Sequence, residues 1–208
     1  MPRPNKNIFR ICVGLIGLAG IAYLSACTYI WKQQKHFIFM PEREIKKTPA
    51  DYHLAFEDLY LEIPSESGRI ERIHCWWIPA DHPSDKYLIY LHGSALNIGA
   101  NVSHARRFKE LGFSVLLISY RGYGQSDGEF PTEAQVYADA EAALIKALEL
   151  ESDNLDYLYA LADFYLKKAR FQQAKNVAEQ IVAKHPTQRI GHDMLNLIEK
   201  NLSSGTKQ

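Results

Sequence analysis

The chain has 208 residues, 47% apolar and 23% charged, with 24 Lys and Arg set against 24 Asp and Glu. That is the make-up of an ordinary globular protein of one or two domains, and its formal net charge of zero argues against nucleic acid as a partner. Cys12, Cys27 and Cys75 are odd in number and lack any C-x-x-C spacing, so neither a disulfide framework nor a zinc site is expected, and no metal or cofactor is implied.

Arg3, Lys6 and Arg10 precede an uncharged run over residues 11–31. As a helix rising ~1.5 Å per residue, that run crosses the roughly 30 Å hydrocarbon core of a bilayer. Residues 1–34 therefore read as a membrane anchor or a signal segment. Leu24-Ser25-Ala26-Cys27 has the order of a bacterial lipoprotein box, which makes Cys27 a candidate for lipidation. Leu24 departs from the small-x-small cleavage pattern and so favours an uncleaved anchor over a lipoprotein or an ordinary cleaved signal. Basic residues flank both ends, with Lys32, Lys35, Arg43, Lys46 and Lys47 on the far side, so the side of the membrane is left open.

Residues 59–63 and 72–78 alternate like strands around Glu66-Ser67-Gly68-Arg69, which has the composition of a hairpin turn. Residues 86–91 and 113–118 are nearly continuous apolar runs, as parallel strands covered on both faces should be. Between them, residues 101–111 read as a crossover helix with Ala105, Phe108 and Leu111 on one face, ended by Gly112. Pro131 and Thr132 then open a long helix over residues 133–150, rich in Ala, Glu and Leu.

Residues Phe37-Ile-Phe-Met-Pro41, Trp76-Trp-Ile-Pro79, Leu91-His-Gly93, Arg121-Gly-Tyr-Gly-Gln-Ser-Asp-Gly128 and Tyr137-Ala-Asp-Ala-Glu-Ala-Ala143 occur in this order. As a set they resemble the N-terminal half of membrane-anchored α/β-hydrolases of the serine aminopeptidase and monoglyceride lipase type, in wording close to cyanobacterial members. The resemblance covers residues 35–144 and implies a parallel-rich sheet in the order first, second, fourth, third, fifth. It also implies that Gly93 and Ser94 stand where the family's loop supplies a backbone N–H to an oxyanion hole, and that His92, Arg121, Gly122 and Tyr123 border the pocket. Two positions depart from the family: Ser94 stands where Asn is usual after His-Gly, and Ser119 where Asp is usual before Tyr-Arg-Gly.

The family's serine sits in G-x-S-x-G on a tight strand-to-helix turn. Gly124-Gln-Ser126-Asp-Gly128 fits those letters, but Arg121, Gly122 and Tyr123 separate it from the preceding strand, and Glu129-Phe-Pro131 separates it from the next helix. It reads as a loop rather than a nucleophile elbow. No catalytic residue is assigned: Ser126 is the fallback nucleophile, with Asp163 and His185 or His192 in the right chain order as acid and base but inside helical sequence.

After residue 150 the strand signal stops. Leu158, Leu161, Ala162, Tyr165, Phe171, Ala174, Ala178 and Pro186 follow the small and large positions of a tetratricopeptide repeat over residues 155–186. One period earlier, Tyr137, Ala140 and Leu148 fit the same template, so the 133–150 helix serves both lineages. The expected organisation is α/β followed by all-α: a truncated α/β-hydrolase sheet of about four strands over residues 35–136, tetratricopeptide-type hairpins over 137–202, and a disordered tail over 203–208.

A sheet truncated in this way leaves residues 87–91 as a bare apolar edge, to be covered by the helices, paired with another chain or prone to aggregate. Three functions follow. One is a membrane-anchored hydrolase-like protein without its own nucleophile elbow, whose repeat helices bind a protein or peptide. The second is an active serine hydrolase acting on ester or amide bonds through Ser126 or with a complementing chain. The third is a gene fusion without selected function.

Overall fold

The structure is a computed structural model that describes residues 6–65, 68–82 and 86–205. It divides into two compact units, residues 1–40 and 41–208. The expected hydrolase-like and repeat portions are thus packed as one unit.

In the first unit, α1 (Lys6–Ile38) is one continuous helix that extends past the expected boundary at residue 34. Its stretch Phe9–Ile38 is long and apolar enough to cross a membrane. Ile11, Leu15, Ile16, Leu18, Ile21 and Leu24 are all more than half exposed. That length and apolar composition are enough for a membrane anchor or a signal sequence.

In the second unit, β1 (Glu57–Pro64) and β2 (Ile70–Ile78) form the expected antiparallel hairpin, with Leu61 opposite Ile73 and Leu59 opposite Cys75. Glu66 and Ser67 of the expected turn lie outside the described residues. Gly68 takes a positive φ of 77° while Ser65 N–H donates to the Arg69 carbonyl at 2.7 Å, which closes the hairpin. β3 (Tyr87–Leu91), α2 (Val102–Glu110) and β4 (Ser114–Ile118) follow as a β-α-β crossover. β4 pairs parallel with β3 and antiparallel with β2, giving the strand order β1-β2-β4-β3. This is the order that the hydrolase resemblance implies.

Period-two alternation sorts the strand residues into two cores. Trp76, Ile78, Val115 and Leu117 pack with Ile98, Val102 and Ala105 on the α2 side. Leu61, Ile63, Ile73, Cys75, Leu116 and Ile118 face Ala143 of α3 (Glu133–Leu150) on the other. α3 starts where expected because Thr132 and Gln135 form a capping box, Thr132 N–H donating to Gln135 Oε1 at 2.9 Å. One side chain of α2 departs from expectation. Leu111 is exposed, because the helix ends before it and the chain turns at Gly112, whose φ is 86°. Lys109 is buried instead, its ammonium donating to the Pro79 carbonyl and pairing with Asp81 at 2.7 Å.

The all-α portion comprises α4 (Leu155–Lys167), α5 (Phe171–Lys184) and α6 (Arg189–Gly205). Leu158, Leu161, Ala162, Tyr165, Ala174 and Ala178 form its buried core with Ile181 and Ile198, and Phe171 packs against it half-buried. Pro186 is exposed, as a helix stop rather than a packing residue. α6 runs three residues into the expected tail, and residues 206–208 lie outside the described residues.

Candidate functional site

The segment that leaves β3 carries His92, Gly93 and Ser94, and the loop that leaves β4 carries residues 119–128. The parallel β3–β4 pairing, with Leu91 level with Ile118, brings the two loops to the same end of the sheet. Tyr123 joins them: it is fully buried, its hydroxyl donates to the Ser94 carbonyl at 2.7 Å, and its ring lies 5.0 Å from that of His92.

His92 is 4% exposed. Its Nδ1–H donates to the Gly93 carbonyl at 2.7 Å, which fixes the tautomer and leaves Nε2 as a bare acceptor, buried and without a partner among the described residues. Burial holds the imidazole below its ordinary pKa. Gly93 and Ser94 are exposed. A Cβ added at Gly93 would meet nothing within 4 Å. The missing side chain therefore answers no packing demand inside the chain, and it leaves the main chain approachable from outside. Gly122 is the opposite case: its φ is 83°, and a Cβ there would overlap the Glu129 carbonyl oxygen.

Arg121 faces the interior rather than a pocket. Its N–H and Nε donate to Asp139 of α3 at 2.8 and 2.7 Å, Nη1 to Glu71 at 3.0 Å and Nη2 to the Gln135 carbonyl at 3.2 Å. Its guanidinium is thus occupied in tying the loop to α3 and β2. Burial pushes Asp139 up to about 6 against the pull of Arg121, so the carboxyl remains ionised at neutral pH.

Ser126 is 1% exposed. Its Oγ–H donates to the Ser119 carbonyl at 2.6 Å, and its Oγ accepts from the His74 main-chain N–H at 3.0 Å. Neither partner is an imidazole. Asp127 accepts from the Arg72 N–H at 2.9 Å and Arg43 donates to the Ser126 carbonyl at 2.5 Å, so the whole loop is sewn to β2 and to the segment before it. Asp163 pairs with Lys167 at 2.6 Å on α4. His185 Nε2 donates to the Asp153 carbonyl at 2.7 Å, and His192 lies exposed on α6. Cys27 lies exposed within α1.

Sequence reading missed one cluster. Asp58 Oδ1 accepts from His74 Nε2–H at 2.7 Å and from Trp76 Nε1–H at 2.8 Å, and His74 Nδ1 is buried without a partner among the described residues. The alternation of β1 and β2 carried the signal, since it places Asp58 with Tyr60 and His74 with Trp76 on one face of the hairpin. Along the groove between α3 and α4, Glu133, Tyr137, Glu141, Phe164, Lys168 and Arg170 line a cleft of about 530 Å³. Arg170 clamps Glu141 there through Nη1 and Nη2, at 2.5 and 2.8 Å.

Comparison with known proteins divides along the same line. The tetratricopeptide repeat family model matches residues 132–198. Protein bem46 of Schizosaccharomyces pombe is 32% identical over 152 residues, which cover 64% of this chain and 46% of that protein. The alpha/beta hydrolase domain-containing protein WAV2 of Arabidopsis thaliana is 30% identical over 138 residues, covering 63% and 41%. Among solved structures, an esterase of Pyrococcus furiosus aligns at 28% identity with a TM-score of 0.43, over 54% of this chain and 41% of its own. The chain spans less than half the length of these curated relatives. It thus combines an α/β-hydrolase-like portion, similar in sequence to bem46 and to WAV2, with helices of the tetratricopeptide type, behind one N-terminal apolar helix.

Proposed function

We propose that this protein is a membrane-tethered, hydrolase-like protein without serine catalysis of its own, whose repeat helices hold a segment of another protein. One observation carries the reading. After β4 the chain enters a loop and then α3, α4, α5 and α6, and among the described residues no further strand follows that could end in a tight turn presenting a serine. The fixed environment of Ser126 supports it, since among the described residues its hydroxyl bonds to the Ser119 carbonyl and the His74 main-chain N–H and to no side-chain base. On this reading the exposed main chain at Gly93 is half of an oxyanion site that meets no nucleophile elbow among the described residues.

The cleft between α3 and α4 supports the binding role. Tyr137 and Phe164 line it, with the Lys168 ammonium over the Tyr137 ring and Glu133 accepting from the Tyr137 hydroxyl at 2.7 Å, so an incoming segment would meet aromatic area and charges of both signs. The anchoring role rests on α1 as an uncleaved helix with Cys27 unmodified.

The test is labelling of the full chain, in detergent, with a fluorophosphonate. No serine should be modified. Stoichiometric labelling that disappears in Ser126→Ala would instead establish an active serine hydrolase and overturn the proposal. Intact-mass measurement of the membrane-extracted protein checks the anchor: a chain that begins at a diacylated Cys27 would replace the uncleaved helix with a lipoprotein. A fusion without function predicts that the purified protein lacks a cooperative unfolding transition.

A further inference from the structure

β3 and β1 are the two edges of the sheet, and they are built differently. Ser65 N–H donates to the Arg69 carbonyl, so odd-numbered residues of β1 bond to β2 and the main chain at Asp58, Tyr60, Glu62 and Pro64 faces outward. Two carboxylates and a proline without an N–H guard that edge against added strands. On the other side, Ser114 N–H donates to the Lys86 carbonyl, so even-numbered residues of β3 bond to β4 while Ile89 and Leu91 turn their N–H and C=O groups outward. β3 reads Tyr-Leu-Ile-Tyr-Leu, with no charge, no proline and no bulge. Every residue of β4 is buried, whereas none of β3 is, and Leu91 is 43% exposed. α3 and α4 pack against one face of the strand, at Tyr87 through Ala147, Leu150 and Tyr157 and at Ile89 beside Ala143, and they leave Leu91 exposed.

We propose that β3 is a self-association edge, at which two copies of this chain pair antiparallel about a two-fold axis through Ile89. The strand is its own complement in that register. Ile89 opposes Ile89 of the second copy, Tyr87 opposes Leu91, and Leu88 opposes Tyr90. Each ring meets an aliphatic side chain, a favourable cross-strand pair, and no charge faces a like charge. The Ile89 N–H and C=O of one copy bond to those of the other, which satisfies main-chain groups that β4 leaves outward. Such a contact is isologous and closes on itself. The eight-stranded sheet that results ends at the two guarded β1 edges, so assembly stops at the dimer.

Sedimentation of the full chain in detergent micelles, over a hundredfold range of concentration, should show a dimer that Leu91→Lys weakens at least tenfold. Because Gly14, Gly17 and Gly20 on α1 offer a second route to association, a covalent reporter separates the two. Ile89→Cys in a Cys12→Ser, Cys27→Ser background should oxidise to a disulfide dimer, since hydrogen-bonded antiparallel partners have Cα atoms ~5.5 Å apart, within disulfide range. Buried Cys75 stays in place. A monomer at every concentration overturns the proposal, as does a dimer that survives Leu91→Lys and is not locked by Ile89→Cys. If Leu91→Lys does not fold, the Ile89→Cys cross-link decides alone.

Discussion

Arg121 and Asp139 are joined by two hydrogen bonds, one from the Arg121 main chain at 2.8 Å and one from its Nε at 2.7 Å, with both side chains buried. The pair connects the loop after β4 to the second turn of α3. That loop also carries Tyr123 and Ser126, whose bonds fix Ser94 and Ser119. One ion pair therefore ties the loop that carries both residues to α3.

Asp139→Ala should destabilise the second unit by about 3 kcal/mol, because it strands a buried guanidinium with only Glu71 as counter-charge. Glu71→Gln should cost about 1 kcal/mol or less, since Glu71 is partly solvated and Arg121 keeps Asp139. Urea unfolding of both variants in detergent gives the comparison, and equal losses would deny Asp139 its central place.

His92 should make the protein acid-sensitive. Its folded pKa lies below the ordinary 6.5, so the unfolded chain binds the proton first, and stability is lost as pH falls below about 6.5 towards the folded value. Asp139 works in the opposite sense: with a folded pKa of about 6, above the usual 3.8, its contribution grows as pH falls through that window. Subtracting His92→Phe from the wild-type protein cancels the Asp139 term. The wild-type advantage should shrink between pH 7.5 and pH 5, on top of a constant loss in the variant of about 1 kcal/mol for the missing bond to the Gly93 carbonyl. A difference independent of pH would contradict a neutral, buried His92.

The two glycines of the candidate site should respond in opposite ways. Gly122→Ala meets the Glu129 carbonyl at a positive φ and should cost more than about 2 kcal/mol. Gly93→Ala meets nothing and should leave the melting temperature within about 2 °C of wild type, from a stability change within about 0.5 kcal/mol. Calorimetry of the two variants side by side distinguishes a glycine that the fold requires from one that it does not.

Much of this architecture was legible in the chain. The apolar runs that became β3 and β4, the Thr132 cap of α3 and the repeat spacing of Leu158, Ala162, Ala174 and Ala178 are local signals, and each reappears at its place. Leu111 was misread because helical spacing alone does not say where a helix stops. The pocket border was legible only as a row of letters. Arg121 has the same identity whether it points to a ligand or to Asp139, and eighteen residues separate the two in sequence.

The amino-acid order by itself determined the class of each segment: a helix bare and apolar enough for a bilayer, a β-α-β crossover after a hairpin, and paired helices with small residues where they cross. Periodicity and caps are short-range properties, so they survive without coordinates. Tertiary structure alone decided the fate of single polar groups. It placed the Ser126 hydroxyl between Ser119 and His74, the Asp58 carboxylate between His74 and Trp76, and left Leu91 of β3 exposed while burying every residue of β4, strands of like composition. Those outcomes depend on which distant residue fills the space beside each group, and burial, not identity, sets what a hydroxyl, an imidazole or a strand edge can do.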